Sequence, residues 1–309
     1  MIIYCGEYDI TTNVGNISRS DTIDGLAEDF SFNYVSSIPL ELGERISVYD
    51  NGQLLYYGMI VTSDRNGNNE YSYSCYDDAY LLNKNQAFIQ FNNISVKDAI
   101  TKLCNQQEIP LDLRCELPTM IDKIYDGVVI SDILKELLKV VTDETNEKFR
   151  FEYNGGKLLI DKYSNLIVYP TYTNGTQQLD ATKIIGSLSR KDSIENLCNK
   201  VIIISGSEKN AHEECSKEDT TSIDLYGQFT HYEKIDDKDI SQARNIADKK
   251  LKELNKITTD LSVTLLGDNN VRSGRCIYIE GELYLIKSCK HEYSANSHTM
   301  ELELCGLMN

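Results

Sequence analysis

The sequence has no apolar run that approaches the ~18 residues of a membrane-spanning helix, and its N-terminus lacks the basic and then apolar pattern of a signal peptide. These absences predict a protein without a membrane span that is made in the cytoplasm. Basic residues are also scarce, because 31 Lys and Arg stand against 48 Asp and Glu, a formal net charge of −17. Nucleic-acid binding requires a basic face that replaces counterions, so direct nucleic-acid binding is not expected.

The shortage of basic residues is greatest in the first part of the chain. Residues 1–83 contain three Arg, no Lys and 13 Asp or Glu, a balance of −10. A solvated acidic surface is the ordinary interpretation of such a balance. The alternative is an acidic ring or channel wall, which would repel a passing phosphate backbone.

Motifs for catalysis and metal binding are missing as well. The sequence has no G-x-S-x-G elbow, no Ser/His/Asp order and no Gly-rich phosphate loop, and carboxylate pairs such as Asp77-Asp78 are unspecific in so acidic a chain. Nine scattered cysteines indicate reduced, buried thiols. Cys289 and His291 would share one face of a strand, but a buried thiol beside an exposed imidazole is favoured over zinc. The sequence predicts no enzyme, no cofactor and no metal.

What the chain does contain is a hairpin pattern that occurs near both ends. Residues 43–54 and 274–283 match at two glycine positions and at a final leucine if a short gap is allowed. Each copy predicts a strand, an acidic-Gly tight turn and a returning strand, and a further strand follows at 70–76 and at 299–305. The pattern predicts two similar β-modules, although unrelated hairpins also share part of this strand-turn-strand pattern.

The patterning divides the chain into three parts and predicts an α+β fold that is mainly β. Residues 1–83 predict an antiparallel barrel or sandwich of short strands. Residues 84–180 predict an α/β insert with two helices and a hairpin. Residues 181–309 predict a second β-module, interrupted at about 205–255 by a polar loop (205–221) and then a helix.

This arrangement resembles the hub proteins of phage-type contractile tails, including late control protein D and the hub part of type VI spike proteins. It looks closest to the shorter hubs of Gram-positive prophages and of phage-tail-like R-type bacteriocins. Four stretches in the same order carry the resemblance: Asp50–Gly58, Ser222–Gly227, the helix with Ala243, Ala247 and Leu251, and His291–Leu304.

The resemblance implies two tail-tube-like β-barrel modules and a long helix in the C-terminal half. It also implies a homotrimer, a symmetry adaptor that joins a six-fold tail tube to a three-fold spike. Its partners would then be the tail-tube protein, the spike protein and other baseplate proteins. Assembly in the bacterial cytoplasm and incorporation into a tail particle follow from the same resemblance, whereas a DNA-delivering phage and a DNA-free bacteriocin remain equally open.

Twenty tyrosines and no tryptophan suggest where such contacts could lie. Because strand residues alternate, some of the tyrosines in the first module are expected to point outwards, where they suit subunit interfaces. Ordinary strand propensity is the alternative explanation. The predicted contacts to other subunits or to the tube are Tyr56, Tyr57, Tyr71, Tyr73, Asp50 and Asn51.

The sequence is compatible with two rival functions. One is a tail-associated cell-wall hydrolase, although no catalytic motif supports it. The other is a cell-surface glycan-binding tail module, which the tyrosines suggest.

Overall fold

The computed structural model describes residues 1–154, 156–174, 177–206, 210–294 and 297–306. The chain forms two compact units, one of residues 1–188 and 262–304 and the other of residues 189–261 and 305–309. The fold is mainly β, as the sequence predicts. No helix in the described residues is long and apolar enough to cross a membrane.

The N-terminal part of the larger unit is built from strands. They are β1 (Ile2–Cys5), β2 (Tyr8–Asp9), β3 (Val14–Thr22), β4 (Asp29–Val35), β5 (Arg45–Asp50), β6 (Gln53–Arg65) and β7 (Glu70–Asp77). In β4, Phe30 and Phe32 alternate with polar residues and point into an aromatic-rich core, which is the expected result of a period of two.

A mixed segment follows in the same unit. Its elements are α1 (Ala79–Lys84), β8 (Gln86–Ser95), α2 (Val96–Gln106), β9 (Leu111–Leu113), β10 (Met120–Val129), α3 (Ile130–Thr145), β11 (Phe149–Asn154) and β12 (Lys157–Lys162). Ser95 caps α2 by accepting a hydrogen bond from the Asp98 backbone N–H at 3.0 Å. Asn146 ends α3 in a left-handed conformation with φ 60°.

Short strands connect this segment to the smaller unit. They are β13 (Ile167–Val168), β14 (Thr171–Asn174), β15 (Gln177–Asp180) and β16 (Ile185–Ser193). The elements that follow are β17 (Lys200–Ser205), β18 (His212–Glu218), α4 (Thr220–Tyr226), β19 (Thr230–Lys234) and α5 (Ala243–Leu254). The chain ends with β20 (Thr258–Leu266), β21 (Cys276–Ile279), β22 (Glu282–Tyr293) and β23 (His298–Gly306).

In the smaller unit, β17 lies between β18 and β19, and α5 packs on one face of this sheet. The predicted polar loop at 205–221 is wrong, because this stretch contains β18 and the start of α4. β18 lies at the edge of the sheet, and among its apolar side chains Cys215 alone packs against the core. The strand therefore lacks the alternation of apolar and polar residues from which a strand is predicted. The predicted helix is present as α5, but it has only 12 residues.

The main sheet runs in the order β16-β20-β23-β22-β3-β4-β7-β6-β5-β1-β2, with β21 beside β22 and β13 beside β21. Within the described residues this path does not close on itself. The structure therefore shows large antiparallel sheets, and the barrel modules remain a proposal.

The order of strands repeats within this sheet. The first strand set, β3 to β7, is arranged as β3-β4-β7-β6-β5, and the second strand set, β16 and β20 to β23, is arranged as β16-β20-β23-β22-β21. Corresponding strands also follow one another in the same order along the chain. The second set differs because residues 194–257 are inserted between its first two strands.

Candidate interface in a duplicated strand set

The two hairpins share their hydrogen bonds as well as their order. Gly43 donates its N–H to the Ile60 carbonyl at 2.9 Å, and Gly274 donates its N–H to the Ile286 carbonyl at 2.8 Å. In both copies the isoleucine N–H donates back, at 2.9 Å, to the residue after the glycine. Both glycines have positive φ, +88° and +73°, which explains why the same residue type stands there twice.

The turns at the hairpin tips are also the same. Asn51 and Gly52 have φ of 49° and 78°, and Glu280 and Gly281 have φ of 52° and 89°. Two consecutive residues with positive φ between paired strands define a type I′ turn. Asn51-Gly52 and Glu280-Gly281 therefore mark the same backbone geometry in both copies.

A second pair of similar segments supports the duplication, and these segments lie outside the two hairpins. Val14–Ile23, which covers β3, matches Ile185–Ile194, which covers β16, with identical glycine, serine, arginine, aspartate and isoleucine residues in register. Aligning the first strands of the two sets would have found it. Because residues 194–257 are inserted after β16, a search for evenly spaced repeats does not find this match.

The two strand sets join edge to edge inside one chain. The C-terminal half of β22, Ser288–Tyr293, pairs antiparallel with Ile17–Thr22 of β3. Ile23 N–H extends this ladder by donating to the Lys287 carbonyl at 2.8 Å. The chain thus contains one complete example of a contact between a second strand set and a first strand set.

A buried group of charged residues, named here the junction cluster, lies at this contact. Arg19 Nε is 3.2 Å from Glu28, and Arg272 lies 3.4 Å from Glu28 and 3.5 Å from Asp21. Asp21 also accepts the Ser273 backbone N–H at 3.0 Å. These pairs fix the loop before β21 against β3 and β4.

The junction cluster continues into β11 of the insert. Glu152 is paired with Arg275, and Arg150 donates to the Ile23 carbonyl at 3.1 Å and to Ser273 Oγ at 3.2 Å. Burial would raise the pKa of Glu152, but Arg272 and Arg275 outweigh burial and lower this pKa to about 2. The insert is therefore held to both strand sets by charge-assisted hydrogen bonds.

Two other carboxyl groups of the cluster are destabilised as anions. Burial raises the pKa of Glu28, and the nearby cations Arg272 and Arg19 oppose this effect. Burial and the neighbouring Glu28 raise the pKa of Asp77 to about 8. Such shifts are also seen at catalytic sites, but here Glu28 is enclosed and paired with Arg19 and Arg272, and Asp77 accepts the Ala79 backbone N–H at 3.1 Å.

The predicted proximity of Cys289 and His291 is correct, with 3.2 Å between Sγ and Nε2, but the imidazole is buried rather than exposed. His291 Nδ1 lies 2.9 Å from His298 Nε2 on the opposite side of the ring. The thiol and the second imidazole therefore do not converge on one point. Among the described residues, no group of three or more His, Cys, Asp and Glu side chains could hold a metal ion.

Three of the four predicted contact tyrosines are in the core. Tyr56, Tyr71 and Tyr73 are 3%, 9% and 1% exposed, so the expectation that they face outwards is wrong. On β7 the serines take the outward positions, and the hydroxyl of Tyr73 is satisfied inside by the Leu40 N–H at 2.9 Å. Tyr57 is 44% exposed, with the Arg45 guanidinium over its ring.

The two turn residues differ in their surroundings. Asp50 accepts a hydrogen bond from the Asn269 side chain at 2.9 Å, which ties the first hairpin to the loop before β21. Asn51 is exposed at the tip. Tyr57 and Asn51 therefore remain accessible for contacts with other molecules.

Each hairpin carries a similar pair of side chains beside its turn. Tyr49 lies opposite Leu54, and Tyr278 lies opposite Leu283. A second tyrosine ring from elsewhere in the chain lies about 6 Å from each of these tyrosines: Tyr4 at 6.0 Å from Tyr49, and Tyr169 at 6.3 Å from Tyr278. The duplicated backbone thus presents a related tyrosine-leucine surface twice.

The fold is shared with solved phage tail proteins. The 43 kDa tail protein of prophage MuSo2 from Shewanella oneidensis matches with a TM-score of 0.72 and 12% identity, over 100% of this chain and 99% of that chain. The tail protein from Neisseria meningitidis MC58 matches with a TM-score of 0.68 and 17% identity, over 99% and 96% of the two chains. At such identities the likeness shows the fold, and it confirms the resemblance to tail hub proteins at this level.

A secretion-system protein has the same fold. The E. coli c3393 protein, described as a component of the type VI secretion system with structural similarity to T4 bacteriophage tail proteins gp27 and gp5, matches with a TM-score of 0.54 and 10% identity, over 98% of this chain and 76% of that chain. Residues 17–305 match the family described as YQBQ-like, and the chain belongs to this family. No curated protein matches the sequence.

Proposed function

We propose that this protein is a structural hub subunit of a phage-tail or phage-tail-like baseplate, without enzymatic activity. The duplicated strand set is the observation that carries the proposal, because three copies of the chain would present six related surfaces. A homotrimer of this kind can join a six-fold tail tube to a three-fold spike. Each strand set would form one tail-tube-like barrel module in the assembled ring.

The contacts to the tube are proposed on the repeated hairpin surfaces. Tyr57 and Asn51 are exposed on the first hairpin, and Tyr278 is 40% exposed on the second. Aromatic side chains with a polar tip suit such interfaces. Other baseplate proteins and the spike protein would bind elsewhere on the ring, after assembly in the bacterial cytoplasm.

The proposed boundaries of the modules are residues 1–83, 84–180 and 181–309. The insert at 84–180 supports them, because the junction cluster holds it to both strand sets through Arg150 and Glu152. A non-enzymatic role is supported by solved proteins of this fold, which are described as tail and secretion-system proteins.

The experiment that tests the proposal has two parts. The native mass of the purified chain is measured by light scattering, where three copies of 35.1 kDa give about 105 kDa. The chain is then mixed with tail-tube rings and with spike, and binding is followed by co-sedimentation. The hub function would be rejected if the chain stays monomeric at high concentration and binds neither tube nor spike.

A second candidate, glycan binding, is favoured by one observation. A cleft of about 650 Å³ lies beside the second hairpin and is lined by the stacked Tyr169 and Tyr278 together with Asp180 and Lys183. Aromatic faces with nearby polar groups suit a sugar ring. Binding of cell-wall polysaccharide by the purified chain, lost on Tyr169→Ala, would favour this candidate.

A further inference from the structure

Two strand edges of this chain are unpaired at positions where the duplicated structure has a partner. β3 pairs with β4 on one edge and with β22 on the other, whereas its counterpart β16 pairs with β20 alone in the described residues. The C-terminal half of β22 pairs with β3, whereas the matching half of β6 pairs with β7 alone in the part of the chain that the structure describes. The two edges are complementary halves of a contact that the chain makes once internally.

We propose that β6 of one copy of this chain pairs antiparallel with β16 of a second copy, in the way that β22 pairs with β3. The inference rests on the proposed function, because this contact is head-to-tail and has to close into a ring. Unpaired strand edges are templates for pairing with another chain. The occupant is a second copy of this chain because the chain itself supplies both edges and the internal example of their pairing.

The duplication determines the register of the β6 side. Ile286 corresponds to Ile60, because both make the same pair of hydrogen bonds at the start of the hairpin. After Ile60, the pairing of β6 with β7 shifts in register before Thr62. β22 has a similar irregularity after Ile286, because its next buried residue is Cys289. Ser288–Tyr293 therefore corresponds to residues 62–67.

The burial of these strands differs as the proposal requires. Cys289 is 1% exposed under β3 and the loop that contains Val271. Its counterpart Ser63 is exposed in the isolated chain. The position is covered in the second strand set, where β3 and the loop with Val271 lie beside it, and open in the first strand set.

The register of the β16 side follows from the matched segments Val14–Ile23 and Ile185–Ile194. In the chain, Lys290 lies opposite Ser20. The corresponding residues between copies are Asp64 on β6 and Lys191 on β16, both exposed. A basic residue would thus meet a carboxylate on the outer face, and opposite charges directly across strands stabilise pairing.

One pair in this register is unfavourable, since Arg65 would lie opposite Arg190. Asp192 lies diagonally across from Arg65 and is already 3.2 Å from Arg190. It would stand between the two cations in the manner of Glu28, which lies between Arg19 and Arg272. The charge of the wider segment around β6 also favours a basic partner such as Lys191, because residues 1–83 carry a formal charge of −10.

Charge reversal tests the pairing with little risk to folding, because both residues are exposed. Asp64→Lys and Lys191→Asp are each expected to weaken self-association at least about tenfold, measured by sedimentation equilibrium. The double variant, with both changes in one chain, should restore it, because the charges are then opposite again. Lys252→Asp, a reversal of an exposed lysine on α5, which packs on β17, is the matched control and should have no effect.

Mixing the single variants adds a test of ring size. Each variant pairs well only with the other, so an alternating ring of the two closes only with an even number of copies. In a ring of three, mixing should therefore rescue association less than the double variant does.

Cross-linking tests the register directly. Asp64→Cys protein is mixed with Lys191→Cys protein under mild oxidation, and a disulfide-linked dimer is expected, because opposed residues on antiparallel strands lie within disulfide reach. Ser187→Cys lies on the same face of β16, about 13 Å away, and replaces Lys191→Cys as the control. Each variant alone measures the background from native thiols.

Single reversals that leave association unchanged, together with cross-linking no greater than with Ser187→Cys, would overturn the pairing. If a ring still forms and binds tail-tube rings in that case, the proposed hub function stands and only this contact is wrong. If no ring forms with tube and spike present, both fail.

Discussion

The Arg275 guanidinium forms a two-point ion pair with Glu152, with Nη1 2.8 Å from Oε2 and Nη2 2.5 Å from Oε1. The side chains are 9% and 1% exposed. The residues are 123 positions apart in sequence, and their pairing ties β11 to the beginning of β21. This ion pair belongs to the junction cluster, so it helps to stabilise the place where the two strand sets join.

Replacement of one partner of this pair should be costly. We expect Glu152→Gln to lower the free energy of unfolding by about 3 kcal/mol, because it leaves buried guanidinium groups without their counter-charge. Urea denaturation measures this value. Glu116→Gln is the matched control, since Glu116 pairs with Lys97 at 3.1 Å but is 81% exposed, and this change should cost less than about 1 kcal/mol. Equal effects of the two changes would contradict the stated role of the junction cluster.

The duplicated glycines allow backbone strain to be separated from crowding. An added Cβ meets nothing within 4 Å at Gly43, whereas at Gly274 it would lie 2.6 Å from Arg150 Nε. Gly43→Ala should cost about 1–2 kcal/mol from its positive φ alone. Gly274→Ala should cost more, because Arg150 must also move. Thermal unfolding of the two variants gives the comparison, and a smaller loss for Gly274→Ala would show that Arg150 moves away without penalty.

Acid should weaken the fold through His291. Burial, and then the nearby Arg19, lower the pKa of His291 from 6.5 to about 3. The unfolded chain therefore binds a proton below pH 6.5 that the folded chain does not bind until about pH 3, so the free energy of unfolding falls as the pH decreases across this range.

This effect is isolated by comparison with His291→Gln, which cannot bind the proton. The stability difference between wild type and variant should shrink by about 2 kcal/mol between pH 7 and pH 5. His298, whose pKa burial lowers to about 4, lies 2.9 Å from His291 Nδ1, so the same comparison is repeated in a His298→Gln background, where only residue 291 differs. A difference independent of pH would show that the imidazole of His291 is solvated.

Much of the fold could be predicted from local patterns. The hairpin pattern identifies the duplication because a type I′ turn restricts residue choice, as at Gly52 and Gly281. Helices α2 and α3 follow from apolar residues at helical spacing, and Ser95 caps α2 alone. β18 could not be predicted in the same way, because an edge strand with one side chain against the core leaves almost no apolar period.

The interface side chains were harder to predict than the fold. Tyr71 and Tyr73 alternate with serines, and this pattern does not say which set faces the core. Charged residues such as Arg19 and Glu28 are ordinarily placed on the surface, so no sequence rule puts them in a buried cluster. The match between β3 and β16 was present in the sequence, but only knowledge of the strand order gives it meaning.

The thiols offer a test of the packing that is independent of assembly. Burial raises the pKa of Cys5 and of Cys104 to about 12 and that of Cys115 to about 11. A thiolate is the reactive form, so these buried groups should be slow for two reasons, poor access and little ionisation. A thiol reagent at pH 8 should therefore modify at most the three half-buried cysteines of the native protein rapidly: Cys198, Cys215 and Cys305. All nine should react in urea, and rapid loss of more than three thiols without denaturant would show that the strand sets open readily in solution.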